Sequence, residues 1–382
     1  QALAEWCAAN GDMVGALVHQ RPGIWRSARE SIGGVEVWRA GCIAAPVYTP
    51  LSPAYPLEFS RVLREFKPDL LHLHFPNPSC FAALASPVAR HLPWVVHWHA
   101  DVPPDSPDWR LRAAYRLYRP FERAALARAG AIIATSQPYL DASVALQPWR
   151  AKTHVVALGI SEVTAPLDTQ SSFRRMLESS VSSVSRPAGF RRNDELLGRW
   201  RNAAGLHLLA VGRLSRYKGF DVLIEALAQI ADATVLLVGD GECAHELKTL
   251  AAARGVAGRI AFAGNLDDAT LAAAYAAADA FVLPSLDRSE AFGLVLLEAM
   301  RAGLGVIASA IPGSGVGTVV SDAETGLLVA AGNPVALAGA IGRLRDTDLR
   351  ARLGRAGRAR WLSEFTLQRS AQAIRSIYRS LC

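Results

Sequence analysis

Short apolar runs alternate with longer stretches of helical periodicity along almost the whole chain. Within each run nearly every position is apolar, which is typical of strands in a parallel sheet whose two faces are both covered by helices. The runs form two sets, at residues 13–18, 35–38, 70–74, 94–98, 131–134 and 155–158, and at residues 206–211, 234–238, 260–263, 280–283, 305–308 and 327–329. Strands that alternate with helices in this way build doubly wound α/β domains, so the sequence predicts two such domains.

A segment without strand periodicity separates the two sets. It covers residues 161–203, is rich in serine and arginine, and is expected to be partly helical or mobile. We therefore predict a first Rossmann-like domain over residues 1–158, a linker or insertion over 159–203, a second domain over 204–362 and a terminal helix over 363–382. Residues 348–382 as a whole have the pattern of two amphipathic helices. Residues 3–7 already have a helical pattern, which would place the usual first strand of the first domain before Gln1.

The composition narrows the class of protein and its partners. The chain has 382 residues, of which 51% are hydrophobic, and it contains no uncharged run long enough to span a membrane. Its five cysteines are scattered, odd in number and never spaced as C-x-x-C, which fits the reducing cytoplasm and argues against disulfides or a structural zinc. The net charge of +7 indicates anionic ligands, nucleic acid or a membrane surface as partners.

Part of the positive charge lies on one predicted helix, Trp109–Arg128. Its residues Arg112, Arg116, Arg119 and Arg123 share a face by their three- and four-residue spacing, although Pro120 interrupts the hydrogen bonding of the helix. Two interpretations stay open, a surface for an anionic membrane and an ordinary solvated helix face. Nucleic acid is not expected, because no recognition module of the usual kinds is present.

Two acidic residues lie around one predicted strand-to-helix connection. Glu290 falls in the loop between the strand Ala280–Leu283 and the helix Leu294–Arg301, and Glu298 lies inside that helix. The free amides at the start of a helix attract anions, so this loop suits an anionic ligand. A carboxylate among apolar positions needs a polar partner, because an isolated buried charge is costly. That partner is either a ligand or a neighbouring group of the protein, and this stretch alone favours neither.

A second motif, Gly212-Arg213-Leu214-Ser215-Arg216-Tyr217-Lys218-Gly219, follows the predicted strand at residues 206–211 and precedes a helix predicted at residues 222–230. In an open parallel sheet, ligands bind beyond the carboxyl ends of the strands, where this loop falls. The planar fork of Arg213 and the compact charge of Lys218 suit a diphosphate and would stabilise it as a leaving group. A solvated basic loop is the alternative, and the strand-loop-helix context favours phosphate.

The two motifs together, Gly212-Arg213-x4-Lys218-Gly219 and then Glu290-x7-Glu298, resemble those of the retaining glycosyltransferases of family 4. That family has the GT-B architecture, in which two doubly wound parallel-sheet domains face each other across a cleft. The run Asp287-Arg288-Ser289-Glu290-Ala291-Phe292-Gly293 is most similar to the bacterial mannosyltransferases that build exopolysaccharide or O-antigen units. Residues 72–78 and 97–101 in the first half are also similar to that branch of the family.

The resemblance implies a role for each residue that matches the family's motifs. Arg213 and Lys218 would bind the diphosphate of the donor, and Glu298 would accept hydrogen bonds from its ribose hydroxyls. Glu290 and the amides of Ala291, Phe292 and Gly293 would contact the transferred sugar and the distal phosphate. His99 and Asp101 would contact the donor sugar, and Asn265 and Leu266 would contact the base. His74 and Asn77 would contact the acceptor. The catalytic set would be Glu290, His99 and Asp101.

We therefore expect a cytoplasmic transferase, peripheral on the inner face of the cell membrane, that moves a hexose onto a lipid-linked glycan. The expected donor is GDP-mannose, and the expected acceptor is a polyprenyl-diphosphate-linked glycan. The alternatives are a transferase of the same fold that uses a UDP-sugar, a non-catalytic nucleotide-sugar-binding protein, and a sugar-nucleotide epimerase.

No metal or other cofactor is expected beyond the nucleotide-sugar donor. His72, His74, His97 and His99 do alternate along two predicted strands, as zinc ligands can. A metal would need these histidines on converging faces, however, and strand-end contacts with a sugar explain the same pattern.

Overall fold

The structure, a computed structural model, describes residues 1–45, 49–102, 109–162 and 188–382. These form two compact units, one comprising Gln1–Ser161 with Leu367–Cys382 and the other Glu162–Thr366. The first unit therefore includes the last helix of the chain. Of the predicted linker at 159–203, the serine-rich part from residue 163 to 187 lies outside the described residues.

The first unit contains two separate sheets. Strands β1 (Gly15–His19), β2 (Ala28–Ile32) and β3 (Val35–Ala40) form a sheet of order β1-β3-β2, in which β3 runs parallel to β1 and antiparallel to β2. Strands β4 (Leu71–Phe75), β5 (Trp94–Trp98), β6 (Ala131–Ala134) and β7 (Thr153–Val155) form a parallel sheet in that order. The helices of this unit are α1 (Ala2–Ala9), α2 (Tyr55–Phe66), α3 (Ala82–Ala85), α4 (Trp109–Arg128) and α5 (Gln137–Ala142), together with the last helix of the chain.

The second unit is built on one six-stranded parallel sheet of order β10-β9-β8-β11-β12-β13. Its strands are β8 (Leu206–Val211), β9 (Ala233–Val238), β10 (Ile260–Gly264), β11 (Ala280–Leu283), β12 (Gly305–Ala310) and β13 (Leu327–Ala330). Its helices are α6 (Ala188–Arg201), α7 (Phe220–Leu227), α8 (Ala244–Ala253), α9 (Asp268–Ala277), α10 (Leu294–Arg301), α11 (Val316–Val319), α12 (Pro334–Arg343) and α13 (Thr347–Glu364). The strands of this sheet carry the core of the unit, since most of their side chains are fully buried.

The predicted fold class is confirmed, and every predicted strand except one begins and ends within two residues of an observed one. The exception is the last strand of the first unit, which covers Thr153–Val155 instead of residues 155–158 because its pairing with β6 starts at Thr153. The helix predicted at residues 222–230 begins earlier, at Phe220, because Gly219 adopts a left-handed conformation (φ 65°) and starts it there. The two predicted helices of the tail are present as α13 and α14 (Leu367–Arg379).

Strand β2 was not predicted, because it lacks an apolar pattern. It is an exposed edge strand held to β3 by charge pairs across the two strands, Arg29 with Glu36 and Glu30 with Arg39. The guanidinium of Arg29 also lies 4.9 Å from the centre of the Trp38 ring. Cross-strand pairs of this kind stabilise a sheet without burying apolar side chains on the edge strand, so hydrophobic periodicity does not detect it.

Helix α14 explains why the end of the chain belongs to the first unit. Its residues Ile374 and Ile377 are buried in one cluster with Val95 and Ile133 from strands β5 and β6. None of the described helices is both long and apolar enough to cross a membrane.

Candidate active site

The two motifs of the second unit meet at the carboxyl ends of neighbouring strands. Strands β8 and β11 are adjacent in the sheet, so the loop after β8 and the loop after β11 leave the same edge. The amide of Leu286 donates a hydrogen bond to the carbonyl of Tyr217 at 2.7 Å. A Cβ on Gly219 would lie 2.1 Å from the carbonyl oxygen of Pro284, so only glycine allows the two loops to approach this closely.

Lys218 and Glu290 form a buried ion pair between these loops. The Nζ of Lys218 lies 2.6 Å from Oε2 of Glu290, and each residue is only 7% exposed. Ser285 donates a second hydrogen bond to the same carboxylate oxygen at 2.8 Å, and the Ser314 hydroxyl donates to the backbone carbonyl of Glu290. The sequence predicted both charged residues at this edge, whereas it gave no signal for Ser285 and Ser314. Loss of either charge would leave the other buried without its partner.

Arg213 is held more loosely than Lys218. Its Nη2 lies 3.0 Å from Oε2 of Glu242, and the two side chains are 37% and 52% exposed. Exposed ion pairs of this kind contribute about 0–1 kcal/mol, so Arg213 can exchange Glu242 for an anionic ligand at little cost. Glu242 belongs to a tight turn after β9, where the amide of Leu214 donates to the carbonyl of Asp240 at 3.0 Å.

The start of helix α10 offers free backbone donors beside the ion pair. Ala291 and Phe292 are buried, and Gly293 adopts a left-handed conformation (φ 80°) at the position that starts the helix. The amides of these three residues donate no hydrogen bond to any described residue. Unpaired amides at a helix start can bind an anion.

Glu298 has a partner that the sequence did not indicate. Its Oε2 accepts a hydrogen bond of 2.7 Å from the hydroxyl of Tyr275 on α9. Burial raises the pKa of Tyr275, so this hydroxyl stays protonated and donates. Arg301, the partner considered from sequence, lies close enough for its charge to interact with Glu298, while burial lowers the pKa of Arg301. Glu298 is therefore a half-buried carboxylate held in place by a neutral donor.

Asn265 and Leu266 directly follow β10, which lies beside β9 at the end of the sheet. Asn265 is exposed and Leu266 is half-buried. The loops after β10, β9, β8 and β11 therefore line one edge of the sheet, and all the residues predicted to bind the donor in the second unit lie in or next to them.

In the first unit, the four predicted site residues lie around the carboxyl ends of β4 and β5. Nδ1 of His74 lies 2.8 Å from Nε2 of His99. The side chain of Asn77 accepts a hydrogen bond from the amide of Ser79 and caps a short 3-10 helix. Oδ1 of Asp101 accepts hydrogen bonds from the Trp98 indole at 2.9 Å and from the Ser143 hydroxyl at 2.6 Å. Asn77 and Asp101 are thus fixed by the protein's own donors.

His72 and His97 join His74 and His99 in one cluster of stacked imidazole rings. The centroids of His97 and His99 are 4.4 Å apart, those of His72 and His74 are 4.5 Å apart, and those of His74 and His97 are 5.4 Å apart. The histidines that alternate along the two strands therefore converge on one face of the sheet. Convergence on one face is the condition that a metal site requires.

A buried acid on helix α4 was missed from sequence. Glu122 is 1% exposed, and its Oε2 accepts a hydrogen bond of 3.4 Å from the hydroxyl of Tyr115. Burial, with the nearby charge of Asp101, raises the pKa of Glu122 to about 7. A single acid among arginines and tyrosines gives no pattern that distinguishes it from a surface residue.

This raised pKa predicts a pH-dependent stability. The folded state holds the Glu122 proton more tightly than the unfolded state, so the free energy of unfolding should fall as the pH rises from about 4.5 to about 7, by up to about 3 kcal/mol. Glu122→Gln should remove this decline and be more stable than the parent at pH 8, as measured by urea unfolding across this pH range. Glu324→Gln, on an exposed turn, is the control and should behave like the parent. An unchanged decline in Glu122→Gln would mean that Glu122 is ionised throughout.

Comparison with known proteins shows the family to which the chain belongs. The sequence profile for the glycosyl transferase 4-like domain matches residues 1–159, and that for the glycosyl transferases group 1 matches residues 202–360. The chain is 32% identical over 320 residues to D-rhamnosyltransferase WbpZ of Pseudomonas aeruginosa. The alignment covers 82% of this chain and 75% of that one. It is 27% identical over 337 residues to O-antigen chain mannosyltransferase C of Escherichia coli, covering 87% of this chain and 80% of that one.

The fold also matches solved structures. Sucrose-phosphate synthase from Thermosynechococcus elongatus superposes with a TM-score of 0.76 at 25% identity and covers 99% of this chain and 91% of that one. The chain therefore belongs to the GT-B glycosyltransferases, and it is an enzyme that transfers a hexose.

Proposed function

We propose that the enzyme transfers mannose from GDP-mannose, with retention of anomeric configuration, to a polyprenyl-diphosphate-linked glycan. The observation that carries the donor site is the meeting of two loops, where the Lys218–Glu290 pair lies beside the unpaired amides of residues 291–293. The choice of sugar is supported by two relatives whose names specify mannose and D-rhamnose, because D-rhamnose is 6-deoxymannose and shares its ring configuration.

In this proposal the diphosphate binds where the second unit offers positive charge and free amides. Arg213 exchanges Glu242 for a phosphate oxygen, and Lys218 turns part of its interaction from Glu290 to the diphosphate. The amides of Ala291, Phe292 and Gly293 contact the distal phosphate and the transferred sugar. Glu298, held by Tyr275, accepts from the ribose hydroxyls, and backbone atoms of Asn265 and Leu266 contact the base.

The reaction needs stabilisation of charge more than it needs a strong acid. As the bond between the sugar and the diphosphate breaks, negative charge grows on the leaving phosphate, and the two cations and the amides would stabilise that charge. Glu290 positions the sugar while it holds Lys218. We assign no covalent nucleophile.

The first unit would supply the acceptor side of the reaction. His99 and Asp101 are proposed to contact the donor sugar, and His74 and Asn77 the acceptor. Because the side chains of Asn77 and Asp101 are held by hydrogen bonds to the protein, they would present fixed groups to a sugar and lose little conformational entropy on binding.

The donor is tested by thermal unfolding with a panel of GDP, GDP-mannose, UDP and UDP-sugars. At about 100 times its dissociation constant a ligand adds about 2.7 kcal/mol to stability, which corresponds to a rise of about 5 °C or more for the unit that binds it. We expect this rise with GDP and GDP-mannose. Stabilisation by UDP and UDP-sugars alone would replace the proposed donor by the runner-up, a UDP-sugar.

Helix α4 is proposed to bring the enzyme to the anionic surface where a lipid-linked acceptor resides. Its arginines at 112, 116, 119 and 123 are exposed, and so are the apolar residues Trp109, Leu117 and Phe121 on the adjacent part of the helix surface. An exposed band of apolar side chains beside arginines is typical of helices that lie in the interface of an anionic membrane.

Reversal of charge on this helix should weaken membrane binding. Each arginine near an anionic surface contributes about 1 kcal/mol, so Arg116→Glu/Arg123→Glu is expected to reduce co-sedimentation with phosphatidylserine vesicles at least about 10-fold. Arg355→Glu/Arg358→Glu makes the same charge change on exposed positions of α13 and should have much the smaller effect. Equal losses in both variants would mean that net charge, and not helix α4, determines binding.

A further inference from the structure

We propose that His72, His74 and His97 form a binding site for a divalent transition-metal ion, with Zn²⁺ the best fit. Among the described residues each of the three offers one ring nitrogen, and these nitrogens lie within 4.8 Å of one another. The site lies within the first unit, and one of its ligands, His74, is also the residue proposed above to contact the acceptor.

The parallel sheet itself creates the cluster. His72 and His74 are two residues apart on β4, so their side chains leave the same face of the sheet. His97 on β5 stands opposite His74 in the register of the two strands and leaves that face as well. The three imidazoles therefore start from rigid strands, which hold ligands more accurately than loops do.

Two of the three histidines have ring nitrogens without partners. His97 is 3% exposed, and neither of its ring nitrogens forms a hydrogen bond in the described part of the chain. Nε2 of His72 is buried and unpartnered in the same way. A buried donor or acceptor without a partner costs about 1–3 kcal/mol, so a strand that keeps histidine here needs a compensating interaction. A metal ion provides that interaction, because it binds the lone pair directly.

The existing hydrogen bonds engage Nδ1 of His72 and of His74 and leave Nε2 of both rings available for a metal. Nδ1 of His72 lies 2.5 Å from the hydroxyl of Tyr378 on α14, and Nδ1 of His74 lies 2.8 Å from Nε2 of His99. Histidines that bind a metal usually engage their second ring nitrogen with an outer partner, which fixes the tautomer and the direction of the ring. Tyr378 and His99 would be these positioning residues, and Nε2 of His72 and of His74 would face the metal.

The chemistry of the donors selects the kind of ion. All three ligands are imidazole nitrogens, and a metal ion binds each of them through the lone pair of the neutral ring. Three neutral imidazoles suit zinc, copper or nickel, whereas Mg²⁺ and Ca²⁺ prefer oxygen ligands. A site with three histidines leaves the fourth position of a tetrahedral zinc open to another ligand.

Metal binding requires a small rearrangement. Zinc–nitrogen bonds of about 2.0–2.1 Å in a tetrahedral site place the ligand nitrogens about 3.3 Å apart, so the widest separation must close by about 1.5 Å. The stacked rings must also tilt towards one point, since their planes are now within 28° of parallel. His74 is exposed and gives the ion a path from solvent.

The test is a titration of the purified full chain with Zn²⁺ in competition with a chelating indicator, and with Co²⁺ followed by its visible absorption. We expect one equivalent to bind with a dissociation constant of about 10 µM or less. His97→Phe keeps the ring volume but removes a ligand, and should weaken binding at least about 100-fold without lowering the unfolding temperature of the metal-free protein. His245→Phe, at an isolated exposed histidine of α8, should bind like the parent. His99→Gln should weaken binding about 10–100-fold, as the loss of an outer partner does.

Two outcomes would overturn the site. One is the absence of saturable binding by the parent chain, and the other is undiminished binding by His97→Phe. Cys80 provides a further check, because its Sγ lies 3.5 Å from the carbonyl oxygen of His74 and thiolates also bind zinc. Loss of binding in Cys80→Ser, or a sulfur-to-cobalt charge-transfer band in the parent, would contradict a site made of three histidines.

Discussion

Lys218→Ala is expected to reduce turnover by about 10³-fold and to lower the free energy of unfolding by about 3–5 kcal/mol. The substitution removes a cation from the proposed diphosphate site. Among the described residues it also leaves Ser285 as the one side-chain donor to the buried carboxylate of Glu290. Turnover is measured at saturating donor, and stability is measured by urea unfolding of the same preparation.

A double variant separates the two effects. Lys218→Met/Glu290→Gln removes both charges while nearly keeping the side-chain volumes, so its stability should lie within about 1 kcal/mol of the parent. Transfer should stay as low as in Lys218→Ala, because neither the cation nor the carboxylate returns. Recovery of turnover in the double variant, or near-normal turnover in Lys218→Ala, would place the donor diphosphate elsewhere.

Arg213→Ala is expected to reduce turnover by about 10²–10³-fold with a change in stability of less than about 1 kcal/mol. The reason for the contrast with Lys218 is exposure, since the side chains of Arg213 and Glu242 are 37% and 52% exposed and an ion pair in contact with water contributes little to stability. Steady-state kinetics with varied donor, alongside urea unfolding, measures both quantities.

Glu242→Ala is the matched control for this second prediction. It breaks the same ion pair from the other side and keeps the arginine that is proposed to bind the donor, so turnover should be kept and the KM for the donor should stay equal or fall. Equal losses of activity in both variants would show that the pair itself is needed, and would count against direct binding of phosphate by Arg213.

The sequence predicted which residues would gather at the edge of the second sheet but not how they would be paired. Lys218 and Glu290 each follow an apolar strand, and the carboxyl ends of parallel strands share an edge. Their mutual contact depends on β8 lying beside β11, although the two residues are 72 positions apart in the chain. Strand order is decided by packing over the whole domain and has no local pattern. For the same reason Tyr275 was not recognised as the partner of Glu298.

In the first unit, too, the sequence alone did not predict strand register or a strand built from polar residues. Alternation is enough to place His72 and His74 on one face, but the approach of His97 depends on the register between β4 and β5. Strand β2 escaped prediction because charge pairs hold it. The position of Glu122 inside the protein was equally hidden, since a single acid among the arginines and tyrosines of α4 has no pattern of its own.

The packing of helix α14 against the first sheet has a consequence for dissecting the enzyme into fragments. A polypeptide ended at Ser161 would lack Ile374 and Ile377, and the side chains of Val95 and Ile133 that they cover would face water. It would also lose Tyr378, the outer partner of His72. An N-terminal half suitable for biophysical study therefore needs residues 367–382 joined to it through an artificial linker, whereas the second unit, Glu162–Thr366, can be excised as one uninterrupted stretch.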